Sequence, residues 1–562
     1  MDQKSVIAAI AMSSAVIVLW SLFFVPEKPT KKQLLAEKQK VENTETPEIE
    51  RTEIIKEISR EQALQESERV LFENENIKGS ISLTGGQIDD LEFKKFKKTQ
   101  DGEENVILLN PRKSKDGYYV ETGWAISNKN IDVPNSKSIW TVEGNKKLTI
   151  NTPIKLVWSN DQNLKFEKEI SIDDKYLFTI KQSIKNNTNK IYNFYPYGQI
   201  VRNKIPEITN FFILHEGPLG VFSTKDGNTE LVEKDYDDIQ DKSFSINADA
   251  GFLGVTDKFW ITTILPQKNS KFRANFDFKN KFLTNFIETE ATEIGANETK
   301  FNEIKILLAA KEVKVIDQYS EQLNIEKLDL IIDWGILYWL TRPMWSALDF
   351  FYQLLGNYGL AIIAVTICTR ILLFPLAQLS FKSMSRMKLL TPEIERIKNL
   401  HKDDKKKIQV EMMELYRRER INPMSGCLPL IPMIFLFFCL YKVLFVTIDS
   451  RFKPFYGYLT DLSSRDPSSL FNLFGLINWT PPDFLLIGWL PLFFGLSMWA
   501  QQKLNPPPSD PMQKKLFAFF PVLLTVILAP FPSGLLLYWC TNNILQMGQQ
   551  YLVLRMTKVK TT

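Results

Sequence analysis

Residues 358–379 read YGLAIIAVTICTRILLFPLAQL, twenty-two residues with a single charge, Arg370. At 1.5 Å per residue such a helix is about 33 Å long, enough for the hydrocarbon core of a bilayer. Its cation falls near mid-depth, where even a lenient insertion scale sets a cost of about 2.5–3.5 kcal/mol. Arginine does not escape that cost by giving up its proton. The stretch therefore predicts a membrane span that carries a charge for a reason.

Further apolar runs predict spans at 428–446, 484–500, 516–531 and 534–554. Sixteen residues make a helix of about 24 Å, so the shorter spans are re-entrant or the bilayer thins around them. Val6–Val25 is another uncharged run. It ends in Leu22-Phe23-Phe24-Val25-Pro26 instead of a small-x-small cleavage site, which favours an uncleaved anchor (1–25) over a signal peptide. Residues 26–69 are rich in Glu and Lys and read as a charged linker, disordered or loosely helical. Across 70–329 the texture is different. Ile77–Leu83, Lys165–Ile172 and Tyr176–Ile184 alternate apolar and polar residues and end at Gly85-Gly86, Asp173-Asp174 and Asn186-Asn187. Period-two alternation with such turns predicts an antiparallel β-sandwich. That domain has no cysteine. All four cysteines, Cys368, Cys427, Cys439 and Cys540, fall in or beside the spans and read as small apolar packers.

Lys and Arg in the loops set the orientation. The loop 381–422 carries twelve cations and 447–483 three, while the short 501–515 and the tail after 554 carry three each. The first and the last two are therefore read as cytoplasmic, and 447–483 as outside. The β domain then lies outside and both termini inside. Residues 330–356 are apolar enough to be a further span, but Asp333, Arg342, Pro343 and Asp349 interrupt them. A crossing there would also put the twelve-cation loop outside. With Trp334, Trp339 and Trp345 the segment reads as an amphipathic helix at the outer interface. The fold class is thus an α+β membrane protein: an anchor, a periplasmic antiparallel β-sandwich, and a five-helix transmembrane core (357–555) with a cytoplasmic helical hairpin (381–422) and a short tail (556–562).

Composition narrows the chemistry. The chain has 562 residues, 44% hydrophobic and 24% charged, with a net charge of +4. This excludes wholesale disorder and is too balanced for DNA binding. Two histidines, His215 and His401, leave little for zinc or imidazole acid–base work. No phosphate-binding loop, nucleophile elbow or zinc motif is present. No catalytic residue, metal or cofactor is expected.

The candidate site is therefore the polar content of the spans. No Asp or Glu lies in the other predicted spans to pair with Arg370. A water-filled cavity open to one side is the remaining way to keep the charge. Thr366, one turn earlier, would line it. In the last span Asn542, Gln546 and Gln549 share one face, within a stripe that includes Thr541, Asn543 and Gln550. Such a stripe is either interhelical glue or a hydrated wall. In the hairpin, Thr391 reads as an N-cap with Pro392 after it, and the turn 401–404 separates two arms. Met387 and Ile394 on one arm face Met412 and Leu415 on the other, an adaptable Met-containing seam.

These residues carry a resemblance. Asn357-Tyr358-Gly359 through Thr366 and Arg370 to Pro375, Met412–Tyr416, Ile421–Pro429, Asp510–Gln513 and Phe531–Tyr538 are similar to the YidC-type membrane protein insertases. The match is dense over 330–555. The anchor and the outer domain, with Gly85-Gly86 and Trp158–Asp161, resemble the Gram-negative form. In that family the outer domain is a sandwich of the sugar-mutarotase type. Trp539 departs from a frequent second tyrosine, and the tail is short and modestly basic, which weakens tail-assisted ribosome binding.

The resemblance implies an insertase of the bacterial inner membrane. It would receive nascent membrane proteins in a hydrophilic groove open to cytoplasm and lipid, and work with the Sec translocon and the ribosome. Two other classes compete. A secondary transporter of an anionic small molecule would also use an intramembrane arginine, but predicts inverted repeats that are not seen. A carbohydrate-binding or carbohydrate-modifying outer domain would need an acid or histidine cluster, for which His215 is the one histidine available.

Overall fold

The computed structural model describes residues 57–562 except 129, 208–213, 225, 402–403, 420–429, 480, 483–484, 505–510 and 559–562. The expected anchor, most of the linker, the Ile421–Pro429 motif, Cys427, Asp510 and the end of the tail lie outside the described residues.

The alternation read from sequence produces two stacked sheets, one of eleven strands and one of nine. In Leu164–Ile172 the side chains of Leu164, Phe166, Ile170 and Ile172 are buried between the sheets. The turn that follows is held by Asp173, whose Oδ1 accepts from the amides of Lys175 and Leu177, both at 2.9 Å. Leu177–Asn186 then pairs antiparallel with Leu164–Ile172 and with Thr299–Ala310. Among the described strands the pairing is antiparallel apart from a two-residue parallel match of Leu71-Phe72 with Lys147-Leu148 at one edge; an isolated parallel bridge also joins Ile58 to Ser114. The end of the expected linker is folded onto this domain. Ser59 caps a short helix, Arg60–Gln65, and Arg60 reaches Asp90 and Asn110.

Several ionisable side chains are buried in the β domain, Lys168 and Glu288 among them. Lys168 breaks the apolar alternation of its strand; burial pushes its ammonium down to about 8, and Nζ donates to the Thr122 carbonyl at 2.7 Å. Burial pushes the Glu288 carboxyl up to about 7, although Asn302 donates to it at 2.8 Å. Between pH 4.5 and 7 the unfolded Glu288 is ionised while the folded one is protonated, so stability falls as pH rises through that window. Glu288→Gln should therefore stabilise the domain by about 3 kcal/mol at pH 8 and by almost nothing at pH 4. Urea midpoints at the two pH values check this.

After the last strand, α1 (Val313–Leu323) leads into the segment expected as one interfacial helix, 330–356. The helix proper, α2, is Tyr338–Leu355. Asp333-Trp334-Gly335 is not helical, with Gly335 at φ +71°, because Trp334 is buried and Asp333 is held by other elements. Gly356 ends α2 in the left-handed region and Asn357 caps α3 (Tyr358–Leu372), accepting the Leu360 amide at 3.1 Å. The span expected at 358–379 is not one rod. It breaks at Leu373 and continues, bent by 62°, as α4 (Phe374–Leu389). Pro375 is the cause: it has no amide for the Ile371 carbonyl, and its ring crowds that oxygen.

The hairpin follows as α5 (Thr391–Leu400) and α6 (Lys405–Arg418). Leu390, not Thr391, occupies the cap position of α5, and Asp404 caps α6. The remaining helices are α7 (Leu430–Val446), α8 (Trp489–Leu504), α9 (Pro511–Leu528) and α10 (Ser533–Lys558). α10 packs on α3 and α8, and α2 packs on α3 and α7. Among the described residues no single helix is long and apolar enough to cross a membrane; α3 and the start of α4 pass that test as a bent pair. Large apolar side chains are exposed along α3, α7, α8 and α9, including Leu372, Ile431, Leu496 and Phe517.

Candidate functional site

The site is built where α3 meets α10. Because α3 ends at Leu372, Arg370 lies in its last turn, where the helix dipole favours a cation and carbonyls lack helical donors. The sequence placed it in mid-span; the bend turns that position into a helix end.

Arg370 is 6% exposed. Its Nε donates to Asn542 Oδ1 at 2.6 Å, and Nη2 donates to the Asn542 carbonyl at 3.1 Å and to Gln546 Oε1 at 2.9 Å. Gln549 grips both ends of the residue. Its Oε1 accepts from Nη1 at 3.5 Å and its Nε2 donates to the Arg370 carbonyl at 3.2 Å. Positions 542, 546 and 549 recur at i, i+4 and i+7, so one face of α10 supplies all three side chains. Among the described residues Arg370 forms no ion pair. The guanidinium thus makes four hydrogen bonds to neutral groups, and its charge is not neutralised by a carboxylate among the described residues.

Thr366 is buried, and its hydroxyl donates to the Ile362 carbonyl at 2.6 Å, so it is turned back on its own helix. The stripe on α10 divides. Asn542, Gln546 and Gln549 go to Arg370, whereas Asn543 donates to Ser497 at 2.9 Å and Gln550 to the Leu504 carbonyl at 3.2 Å, fastening α10 to α8. Tyr538, one turn before Asn542, is buried near the guanidinium and was missed as a site residue. Its place four residues before Asn542 was the available signal.

Next to this layer lies an aromatic one. Trp539 stacks on Phe437 of α7 at 4.4 Å and on Phe494 of α8 at 5.3 Å. The residue singled out as a departure therefore fastens three helices together about 4.5 Å along α10 from Asn542. In the hairpin, Ile394 and Leu415 are buried, and Met387 and Met412 are half-buried. Leu400, Val410 and Met413 are exposed there.

A second polar junction was not expected. Lys442, a cation inside the span read at 428–446, meets Asp333 Oδ2 at 2.7 Å. The same oxygen accepts the His215 amide at 2.9 Å, and Oδ1 accepts the Gly335 amide at 3.1 Å. Lys258 of the β domain lies over the Phe445 ring at 3.8 Å. The partner of Lys442 comes from 109 residues upstream, which periodicity does not reveal.

Comparisons with known proteins bear on both halves of the chain. The family described as 60Kd inner membrane protein matches residues 350–560, and the YidC periplasmic domain matches 69–347. The membrane protein insertase YidC of Pelagibacter ubique is 56% identical over 100% of both chains. That of Rickettsia bellii is 38% identical over 99% of both. Among solved structures, an active YidC insertase with its first transmembrane domain resolved is 14% identical. It covers 94% of this chain and 98% of its own, with a TM-score of 0.37.

Proposed function

The chain belongs to the YidC family of membrane protein insertases, and from that premise we propose that it inserts clients through a groove centred on Arg370. It is an inner-membrane protein with a β-sandwich domain of the periplasmic type. The transporter alternative is not favoured, since the relatives matching the whole chain are named insertases.

The observation that carries the reading is the bonding of Arg370 to neutral amides and a carbonyl. An acid partner would cancel the charge. Amide oxygens keep the guanidinium solvated while its net charge stays available to a carboxylate in a client's outer segment. The client's polar segment then crosses only part of the hydrocarbon, and its apolar helix leaves sideways into lipid, at about 0.8 kcal/mol per buried CH₂. With no nucleotide motif in the sequence, partitioning and the membrane potential supply the drive.

In this proposal α3 with α4, α7, α8, α9 and α10 form the five spans, the β domain faces the periplasm and both termini are cytoplasmic. The exposed apolar side chains on these helices then face lipid instead of water. The stacked Phe437, Trp539 and Phe494 close the groove on its outer side. The Sec translocon and the ribosome are proposed as working partners, and no bond-making catalysis is proposed. Depletion of the protein followed by a census of membrane proteins tests the function. Cross-links from a stalled nascent chain to cysteines placed along α3 and α10 test the groove.

The hairpin is proposed as the receiver of clients. It carries twelve cations against seven acids, which draws it to anionic headgroups. Its Met-containing seam and exposed Leu400, Val410 and Met413 offer apolar contact. Shortening the tip at 401–404 should cost less than half of the insertion rate, and deleting 391–418 should cost most of it, at about tenfold. Equal losses from both variants at normal abundance would assign a fixed docking role to the tip.

A further inference from the structure

A cavity of about 350 Å³ opens between the β domain, α2 and the loop after α7. One part of its wall is acidic: Glu312, Asp349 and Asp449. The other is basic: Lys95, Lys97, Arg451 and Lys453. Opposite charges lining one space would be expected to close on each other. They do not. Among the described residues, none of the four cations forms an ion pair with a carboxylate, and of the three acids only Asp349 has a cation, Lys314 at 2.9 Å.

The other two acids are held by neutral donors. Asp449 accepts from Trp345 Nε1 at 3.0 Å, and Glu312 from the Tyr176 hydroxyl at 2.5 Å. Burial raises the Asp449 carboxyl above the usual range, helped by Glu312 and Asp349 and opposed by the Trp345 hydrogen bond and the field of Lys314. On the basic side Lys453 Nζ donates to the Tyr352 hydroxyl at 3.0 Å, and Arg451 to the carbonyls of Lys97 and Lys98 at 2.7 and 3.0 Å. Asp449, Glu312, Lys453 and Arg451 are thus each positioned by uncharged partners and make no ion pair across the cavity among the described residues.

α2 supplies the link to lipid. Trp345, Asp349 and Tyr352 face the cavity, while Trp339, Phe350 and Leu354 on the same helix are exposed. In the proposed topology that outward face lies in the outer leaflet. A cavity of this size is at the small end for a ligand pocket, so it admits a headgroup and leaves acyl chains outside along α2. We propose that the cavity binds the zwitterionic headgroup of a phosphoethanolamine lipid. Its primary ammonium donates to Asp449 and Glu312, and its phosphate accepts from Lys453 and Lys95. The lipid thereby joins the β domain to the helices. The inference rests on the membrane placement of α2, but not on the insertion mechanism.

The test uses full-length protein in mild detergent with equimolar, chain-matched phosphatidylethanolamine, phosphatidylcholine and phosphatidylglycerol, with retained lipid read by native mass spectrometry. The ethanolamine lipid should be retained about fivefold over each of the others. Asp449→Asn, which keeps an acceptor for Trp345, and Glu312→Gln should each remove its advantage over the choline lipid, whose trimethylammonium donates no hydrogen bond. Lys453→Gln should lower retention of both zwitterionic lipids. Matched thermal midpoints guard against misfolded variants; if one variant unfolds, the other acid variant decides. Equal retention of the three lipids, or an ethanolamine preference unchanged in the acid variants, overturns the proposal. Displacement of the lipid by free O-phosphoethanolamine overturns it in favour of a small zwitterion. An unchanged insertion rate in these variants leaves the Arg370 reading intact.

Discussion

Arg370→Ala should lower the insertion rate of clients with carboxylates in their outer segment by about tenfold or more, equivalent to about 1.4 kcal/mol of lost stabilisation. Arg370→Lys should keep most of the rate, since a groove cation needs charge and hydration more than bidentate geometry. The alanine variant also leaves Asn542, Gln546 and Gln549 without the donors they now accept from, which destabilises the α3–α10 contact by itself. Gln546→Glu separates the two effects. It keeps the contact with Nη2 and supplies the missing carboxylate, so it should slow insertion while strengthening the helix pair. Insertion assays at matched membrane abundance decide between charge and packing. A normal rate in both Arg370→Ala and Gln546→Glu would remove Arg370 from the mechanism.

The second large effect is structural. Asp333→Ala should loosen the β domain from the helices, because it removes the carboxylate that pairs with Lys442 and accepts from the amides of His215 and Gly335. The pair is half-buried, so removing one partner costs less than about 3–5 kcal/mol, the figure for a fully buried pair, whereas replacing both with apolar groups is often neutral. Asp333→Ala should therefore expose the stretch between α1 and α2 to protease, and adding Lys442→Met should restore much of the protection. If single and double variants are cut at the wild-type rate, the junction does not hold the domain.

Sequence and structure agree where one local rule decides the outcome. The sandwich was legible because Leu164, Phe166, Ile170 and Ile172 alternate before an Asp-Asp turn. The α10 face was legible because Asn542, Gln546 and Gln549 recur at helical spacing. What was not legible depends on partners far along the chain. The polar stripe reads equally as glue or wall from sequence; it divides by residue, with Asn543 and Gln550 on α8, Thr541 bonded back to its own helix, and Asn542, Gln546 and Gln549 on Arg370. Pro375 lies inside an apolar run whose hydropathy hides the break, a 62° bend that moves Arg370 from mid-span to a helix end. Lys442 was passed over because its acid sits in a segment whose expected helix begins eight residues late.

The grip of Gln549 on both ends of Arg370 also bears on descent. A lineage that altered Arg370 alone would leave three amide side chains and a carbonyl without this donor. One that altered Gln549 alone would free the carbonyl of α3's last turn. Each change is costly until the other follows, so the four positions 370, 542, 546 and 549 should pass between generations as one unit. Aligned relatives should then show substitutions at 370 accompanied by substitutions at 546 or 549, while Asn543 and Gln550, fastened to another helix, vary independently of them.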